Sequence, residues 1–226
     1  MATKTGSITT KLSKYGLRST YVVEADLEAF FAGSGKIGYN TNAKYGQTFL
    51  YGMDFRELAD KDNVKITGFT ITVTGTTPKS SKVTNAVVKW NMVRDFPTSG
   101  VIDTYFSNPT FDTITYNDLG DGRVGYSGSI AANATATVVK THNDMPNTFA
   151  WMNANIDKVI AGYDSGTFGI LMYVGYAKMT SFTMSVDYEY TDSVNKIYIG
   201  TQQSKAIYVG TTPAKAIYVG TTKVYG

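Results

Sequence analysis

The chain has 226 residues, 42% hydrophobic and 17% charged, with 17 Tyr, 22 Gly, no Cys and a net charge of +3. That is enough apolar material for a core and too little charge for an intrinsically disordered chain. Scattered Lys and Arg give no basic run for nucleic acid, and the lack of Cys excludes disulfide scaffolds and Cys-ligated zinc. No stretch reaches the ~18 apolar residues of a membrane span, and "MATKTGSITT" lacks the apolar centre of a signal peptide, so synthesis in a cytoplasm is expected.

In chain order, the first twenty residues are rich in Thr, Ser and Lys and read as an arm, with residues 1–14 assigned to it. "YVVEADLEAFF" (Tyr21–Phe31) opens the packed region, "GQTFLYGM" is a short strand, and "DFRELADKD" (Asp54–Asp62) suits one or two helical turns. In "VKITGFTITVTGTT", Ile66, Phe69, Ile71 and Val73 are interrupted by Thr70, Thr72 and Thr74, the period of a half-buried strand, with Gly68 a candidate bulge. "TNAVVKWNMVRDF" is the next strand, and Lys79–Lys82 reads as a hairpin turn between the two. "PTFDTITYNDLGDGRVGYSGSI" reads as two strands hinged at Asp121-Gly122, a dipeptide that favours tight hairpins.

One segment has a helical period. Phe149, Met152, Ile156 and Val159 share a face, Pro146 suits a first turn and Gly162 a C-terminal cap. Two long strands follow, joined near Ala177-Lys178. Phe168, Ile170, Met172 and Val174 line one, while Phe182, Met184, Val186, Tyr188 and Tyr190 line the other. Roughly eight strands and one short helix predict an all-β antiparallel jelly-roll β-sandwich over 15–190, with a Greek-key immunoglobulin-like sandwich as the alternative.

Residues 191–226 hold a threefold ten-residue repeat. Ile197-Tyr198-Ile199-Gly200 returns as Ile207-Tyr208-Val209-Gly210 and as Ile217-Tyr218-Val219-Gly220. Each unit reads as one short strand closed by Gly, followed by a polar linker. A ten-residue coil is too small to wrap a core, and one aliphatic face cannot offset the entropy of ordering the segment. A partner surface is therefore expected on Ile197, Tyr198, Ile199, Ile207, Tyr208, Val209, Ile217, Tyr218 and Val219. Sister chains on a shared axis, as in a homotrimer, are favoured because symmetric assembly hides strand edges.

These iterated phrases, at the end of a chain rich in Thr, Tyr and Gly, resemble virion proteins of tailed bacteriophages. Upstream, "VKITGFTITVTG", "AVVKW", "FAWMNANIDKVIAGYDSGTFGILMYV" and "SFTMSVDYEY" are similar to jelly-roll modules of phage structural proteins and of many carbohydrate-binding modules. The resemblance spans Val64–Tyr190 and the tail. It implies a virion location and trimeric or higher symmetry, and it carries no functional residues over.

No catalytic constellation stands out. His142 is the lone His, which leaves Cys-protease, zincin and His-triad chemistry without their residues. "GYSGS" (Gly125–Ser129) has its Ser misplaced for a nucleophile elbow, and "GSGKIG" (Gly33–Gly38) lacks the P-loop spacing. Asn117, Asp118 and Asp121 have oxygens for calcium, but a turn explains them equally. Trp90, Trp151, Tyr163, Tyr173, Tyr176 and Tyr105 with Asn108 are candidate sugar-facing aromatics. None of them is singled out, so the glycan-binding residues are left unassigned, and no cofactor or metal is expected. The expected function is a non-enzymatic phage structural protein that decorates a capsid or forms a head fibre, with host-surface glycans and other virion proteins as partners. The alternative is a tail or baseplate receptor-binding protein that recognises carbohydrate. A secreted carbohydrate-binding module is disfavoured by the missing signal peptide.

Overall fold

The period-two patterns place nine strands in two antiparallel sheets, seen in a computed structural model that describes residues 3–10, 12–18, 47–76, 83–100, 117–131, 134–175 and 178–192. In the tail it describes 197–199, 202–204, 208–209, 212–213, 217–219 and 222–225. The strands are β1 (Lys4–Thr10), β2 (Leu12–Arg18), β3 (Gln47–Met53), β4 (Lys61–Thr76), β5 (Val83–Val93), β6 (Val124–Ile130), β7 (Thr135–Thr141), β8 (Gly169–Gly175) and β9 (Lys178–Asp192). One sheet has the order β1-β9-β4-β7 and the other β2-β3-β8-β5-β6.

In β4, Phe69, Ile71 and Val73 point inward while Thr70, Thr72 and Thr74 stay half-exposed; in β9, Phe182, Met184 and Val186 alternate with exposed Ser181, Thr183 and Ser185. These inner faces meet Phe49, Tyr51, Val88, Trp90, Ile170 and Met172 of the other sheet in one core. The predicted all-β sandwich is what the chain forms. The register of β4 against β9 slips between Ile66 and Gly68, where the sequence suggested a bulge.

The five-stranded sheet is covered on both faces. Leu17, Leu50, Val93, Phe96 and Leu171 form a second cluster on the side away from the main core. This explains why "FGILMYVG" reads as an unbroken apolar run and not an alternation.

Four local expectations change. The stretch read as an arm contains β1 and β2: Lys4–Thr10 pairs along its whole length with β9, and its Thr and Ser belong to a sheet face on which Ile8 is buried and Thr5, Ser7 and Thr9 are exposed. The body's strands therefore start at Lys4, not at residue 15. β4 and β5 lie in opposite sheets and do not form a hairpin, because their apolar faces meet across the core; the expected Lys79–Lys82 turn lies outside the described residues. The expected single helix is two, α1 (Pro146–Ala154) and α2 (Ile156–Ser165), broken at Asn155 with φ −134°. Pro146 does sit in the first turn, but Gly162 lies buried inside α2 and Gly166, at φ +67°, is the cap.

The helices close one end of the sandwich, where Met152 and Val159 join Phe55, Leu58 and Phe168 in the core. The Asn153 side chain fastens α1 to β4 like an extra piece of strand. It accepts from the Ile66 N–H at 2.8 Å and donates to the Ile66 carbonyl at 3.0 Å. α2 lies close on β3 at Gly52, where a Cβ would run into the Gly162 carbonyl and stand 2.9 Å from Ser13 Oγ.

The tail forms three separate hairpins. β10 (Ile197–Ile199) pairs with β11 (Gln202–Ser204), β12 (Tyr208–Val209) with β13 (Thr212–Pro213), and β14 (Ile217–Val219) with β15 (Thr222–Tyr225). Among the described residues, no ladder links one hairpin to another or to the sandwich.

Candidate docking segment and surface sites

Each repeat holds two strands, where one strand and a linker were expected. The register sets Ile199 opposite Gln202, Val209 opposite Thr212 and Val219 opposite Thr222. Two residues therefore lie between the strands each time: Gly200-Thr201, Gly210-Thr211 and Gly220-Thr221. Gly in the first place of a two-residue loop is a hairpin signal, so the sequence held the cue. Ile197, Tyr198, Ile199, Tyr208, Val209, Ile217, Tyr218 and Val219 fall in the first strands; Ile207 lies outside the described residues. Each apolar strand runs beside a more polar one: Ile197 pairs with Ser204, Tyr198 with Gln203, and Tyr218 with Lys223. A lone two-stranded hairpin is marginal in water.

The acids of the 117–122 loop have structural tasks. α1 receives no capping bond from Met145. Instead the Asp121 carboxylate accepts from the backbone N–H groups of Asn147 at 2.8 Å and Thr148 at 2.7 Å. Asp118 accepts from the Asn91 amide at 3.0 Å and from the Gly120 N–H, and Asn117 donates to the Asp95 carbonyl. Among the described residues, no group of three or more His, Asp or Glu is placed to hold a metal.

His142 is half-buried, 5.0 Å from the Phe149 ring and 6.2 Å from Phe69. Beside it the Thr141 N–H, at 2.9 Å, and then Lys140 hold the Asp144 carboxyl below the usual aspartate range. Gly125–Ser129 is part of β6, and Gly33–Gly38 lies outside the described residues.

The candidate aromatics divide by burial. Trp90 is fully buried, and its indole N–H has no partner among the described residues. Trp151 stacks on Phe168 at 5.5 Å, and Tyr173 packs on the second cluster. Tyr176, Tyr105 and Asn108 lie outside the described residues. Tyr163 alone joins a surface cluster, and its partner there is a residue the sequence reading did not single out, Tyr15.

That cluster is assembled from three elements. After β3, Asp54 accepts from the Arg56 backbone N–H and, at 2.9 and 3.0 Å, from Arg56 Nε and Nη2, which starts the 3-10 turn η1 (Arg56–Leu58). The guanidinium lies 3.5 Å over the Tyr163 ring of α2, and its hydrogen bond to Asp54 holds it firmly charged. Tyr15 meets Tyr163 edge-on at 5.5 Å. Tyr15 projects from a bulge on edge strand β2, where the register against β3 jumps from Leu12–Met53 to Gly16–Tyr51. The fully buried Ser13 fixes that bulge, its Oγ accepting from the Tyr15 N–H and donating to the Tyr15 carbonyl. A bulge re-aims a side chain in this way, but the sequence pattern around Ser13 gives no signal for it.

Next to the cluster lies a cleft of about 450 Å³ between the start of β4 and α2. Val64, Ile156 and Ile160 line it together with the polar Lys61, Asp62, Asn63 and Asp157. Asn63 holds φ +52° inside a register slip of β4, and its amide donates to Thr191 Oγ1 at 2.9 Å. Lys61 bonds Asp60, which raises its pKa above the usual value, and lies 5.4 Å from the centre of the Tyr190 ring.

Comparison with protein-family models, with curated proteins and with solved structures finds no match to this chain.

Proposed function

We propose that the chain is a non-enzymatic structural protein of a phage particle, decorating the capsid or forming a head fibre, and that its repeat hairpins join copies to one another as a homotrimer. The carrying observation is the contrast between a sandwich with its own core and three hairpins that, among the described residues, have no sheet partner beyond themselves. Hairpins of this size gain stability when a neighbour covers them, and a threefold set of equivalent surfaces suits a symmetric contact. The assignment to a phage particle rests on the sequence resemblance.

We also read the sandwich as a jelly roll. With β3 set aside as an insertion, the first strand pairs with the last (β1 with β9), the third with the third from last (β4 with β7), and the middle two together (β5 with β6). β2 and β8 complete the series on either side of β3. A rolled-up set of nested antiparallel pairs is the jelly-roll wrap.

The test is sedimentation velocity on the full chain and on a chain ending at Asp192, which leaves β9 whole. A trimer that becomes monomeric on truncation is expected. Two equally monomeric proteins would defeat the proposal.

The second reading, a tail or baseplate protein that recognises host-surface carbohydrate, is favoured by the Tyr15–Tyr163–Arg56 cluster. A glycan array probed with the full chain tests it, with binding to host-surface polysaccharide as the expected result.

A further inference from the structure

We infer that the surface between α2 and η1 is a binding track for neutral saccharide chains, with Tyr15 as its stacking platform and the adjoining cleft as its continuation. This deepens the carbohydrate-recognition reading by naming the site, and it needs only the sandwich.

Among the described residues, Tyr15 at 47% and Val139 at 53% are the exposed large hydrophobic side chains. Val139 belongs to a regular strand, whereas Tyr15 is presented by a bulge that a buried hydroxyl locks in place. An aromatic ring held on rigid backbone offers a flat apolar face at little entropic cost on binding, and the C–H face of a pyranose is its natural complement.

Arg56 and Asp54 supply the polar half. Asp54 takes Nε and Nη2, and Tyr163 supports the guanidinium plane, so its orientation is fixed before any ligand arrives. Arg has five N–H donors, two of them on Nη1, while carboxylate oxygens accept. Sugar hydroxyls both donate and accept, and a paired Arg–Asp presents both functions next to an aromatic face. The pair has no net charge, and in the cleft Asp62 and Asp157 outweigh Lys61, which is already ion-paired with Asp60. Phosphate and sulfate polymers are therefore disfavoured, and neutral sugars fit.

Geometry makes the two parts continuous. Ile156, Ile160 and Tyr163 stand at i, i+4 and i+7 on one face of α2. The first two line the cleft and the third supports Arg56. Seven residues of helix span about 10 Å, enough for more than one sugar ring. At the far end, Asn63 has a left-handed backbone and its side-chain amide donates to Thr191, so that wall is also fixed.

The experiment titrates the full chain with cellotetraose, chitotetraose and a galactose tetrasaccharide, with a heparin tetrasaccharide as the anionic comparison, read by amide chemical shifts. Binding of at least one neutral sugar is expected, with shifts confined to the backbone around Tyr15, Arg56, Asp157 and Tyr163. Tyr15→Ala should weaken that binding about tenfold or more, while Tyr15→Phe, which keeps the ring, stays close to the parent. No neutral sugar binding at about 10 mM, undiminished binding by Tyr15→Ala, or preference for heparin would each overturn the inference. A chain that forms trimers and binds none of the sugars removes this site and leaves the assembly proposal standing. A monomeric chain that binds sugar does the opposite.

Discussion

The sandwich and the tail are both built from antiparallel strands, yet their pairings have different origins. In the sandwich, partners come from far along the chain: Lys4 lies opposite Tyr190, and Thr70 opposite Thr141. Only a shared core can specify such pairs, and Phe49, Phe69, Trp90, Phe168 and Met184 supply it with full or nearly full burial. In the tail, each hairpin's first strand pairs with the chain across a gap of two residues, as Ile199 does with Gln202. Turn chemistry specifies that pairing, and it needs no core. A core makes a fold self-sufficient, whereas a turn fixes only a shape that another surface must stabilise.

The largest expected effect is on assembly. Replacing Gly200, Gly210 and Gly220 together by Val removes the hairpin cue from the sequence of every repeat. The full chain should then sediment as a monomer while its melting midpoint stays within about 2 °C, because surface changes away from the core cost little. A large fall in that midpoint would show the two regions to be energetically joined.

The next effects test the self-sufficiency of the body. Phe168→Ala, which empties the contact with Trp151 and Phe55, should cost about 3–5 kcal/mol in urea unfolding. Asn153→Ala strips the Ile66 backbone of its side-chain partner and should cost about 1–3 kcal/mol. In both, any trimer that survives folding should keep its stoichiometry.

The smallest effect concerns pH. Asp144 has its carboxyl pKa depressed in the folded chain, chiefly by the Thr141 N–H. Its contribution is present above the unfolded aspartate value and disappears as pH falls through the folded one. Asp144→Asn should therefore lower stability slightly at neutral pH and flatten the acid limb of a thermal-stability profile. The group is solvent-exposed, so the change should be modest.

Some of this was legible in the sequence. Ile66, Phe69, Ile71 and Val73 announced a half-buried strand, and Phe168 to Val174 an inner one, because alternation and apolar runs follow directly from burial. Sheet membership was not legible: "VKITGFTITVTG" and "AVVKW" look like hairpin partners, yet their apolar faces meet across the core. The Thr- and Ser-rich start resembled an arm because β1 buries little beyond Ile8 and Thr10. Asn155 breaks a helix whose apolar spacing runs straight through it, since its own backbone leaves the helical region (φ −134°, ψ 41°) while its side chain bonds the Trp151 carbonyl. At the surface, Tyr163 could be named from its type. Tyr15, Arg56 and Asp54 could not, because a bulge, a 3-10 turn and a distant helix bring them together.

The place where β9 ends has a mechanical meaning. Its last residues, Tyr190 to Asp192, are zipped to Lys4 on one side and to Lys61 and Asp62 on the other, and the repeats begin just beyond. Tension on the repeats is therefore transmitted lengthwise along a fifteen-residue strand gripped by two neighbours. To draw it out, many hydrogen bonds must be sheared at once instead of being opened one after another.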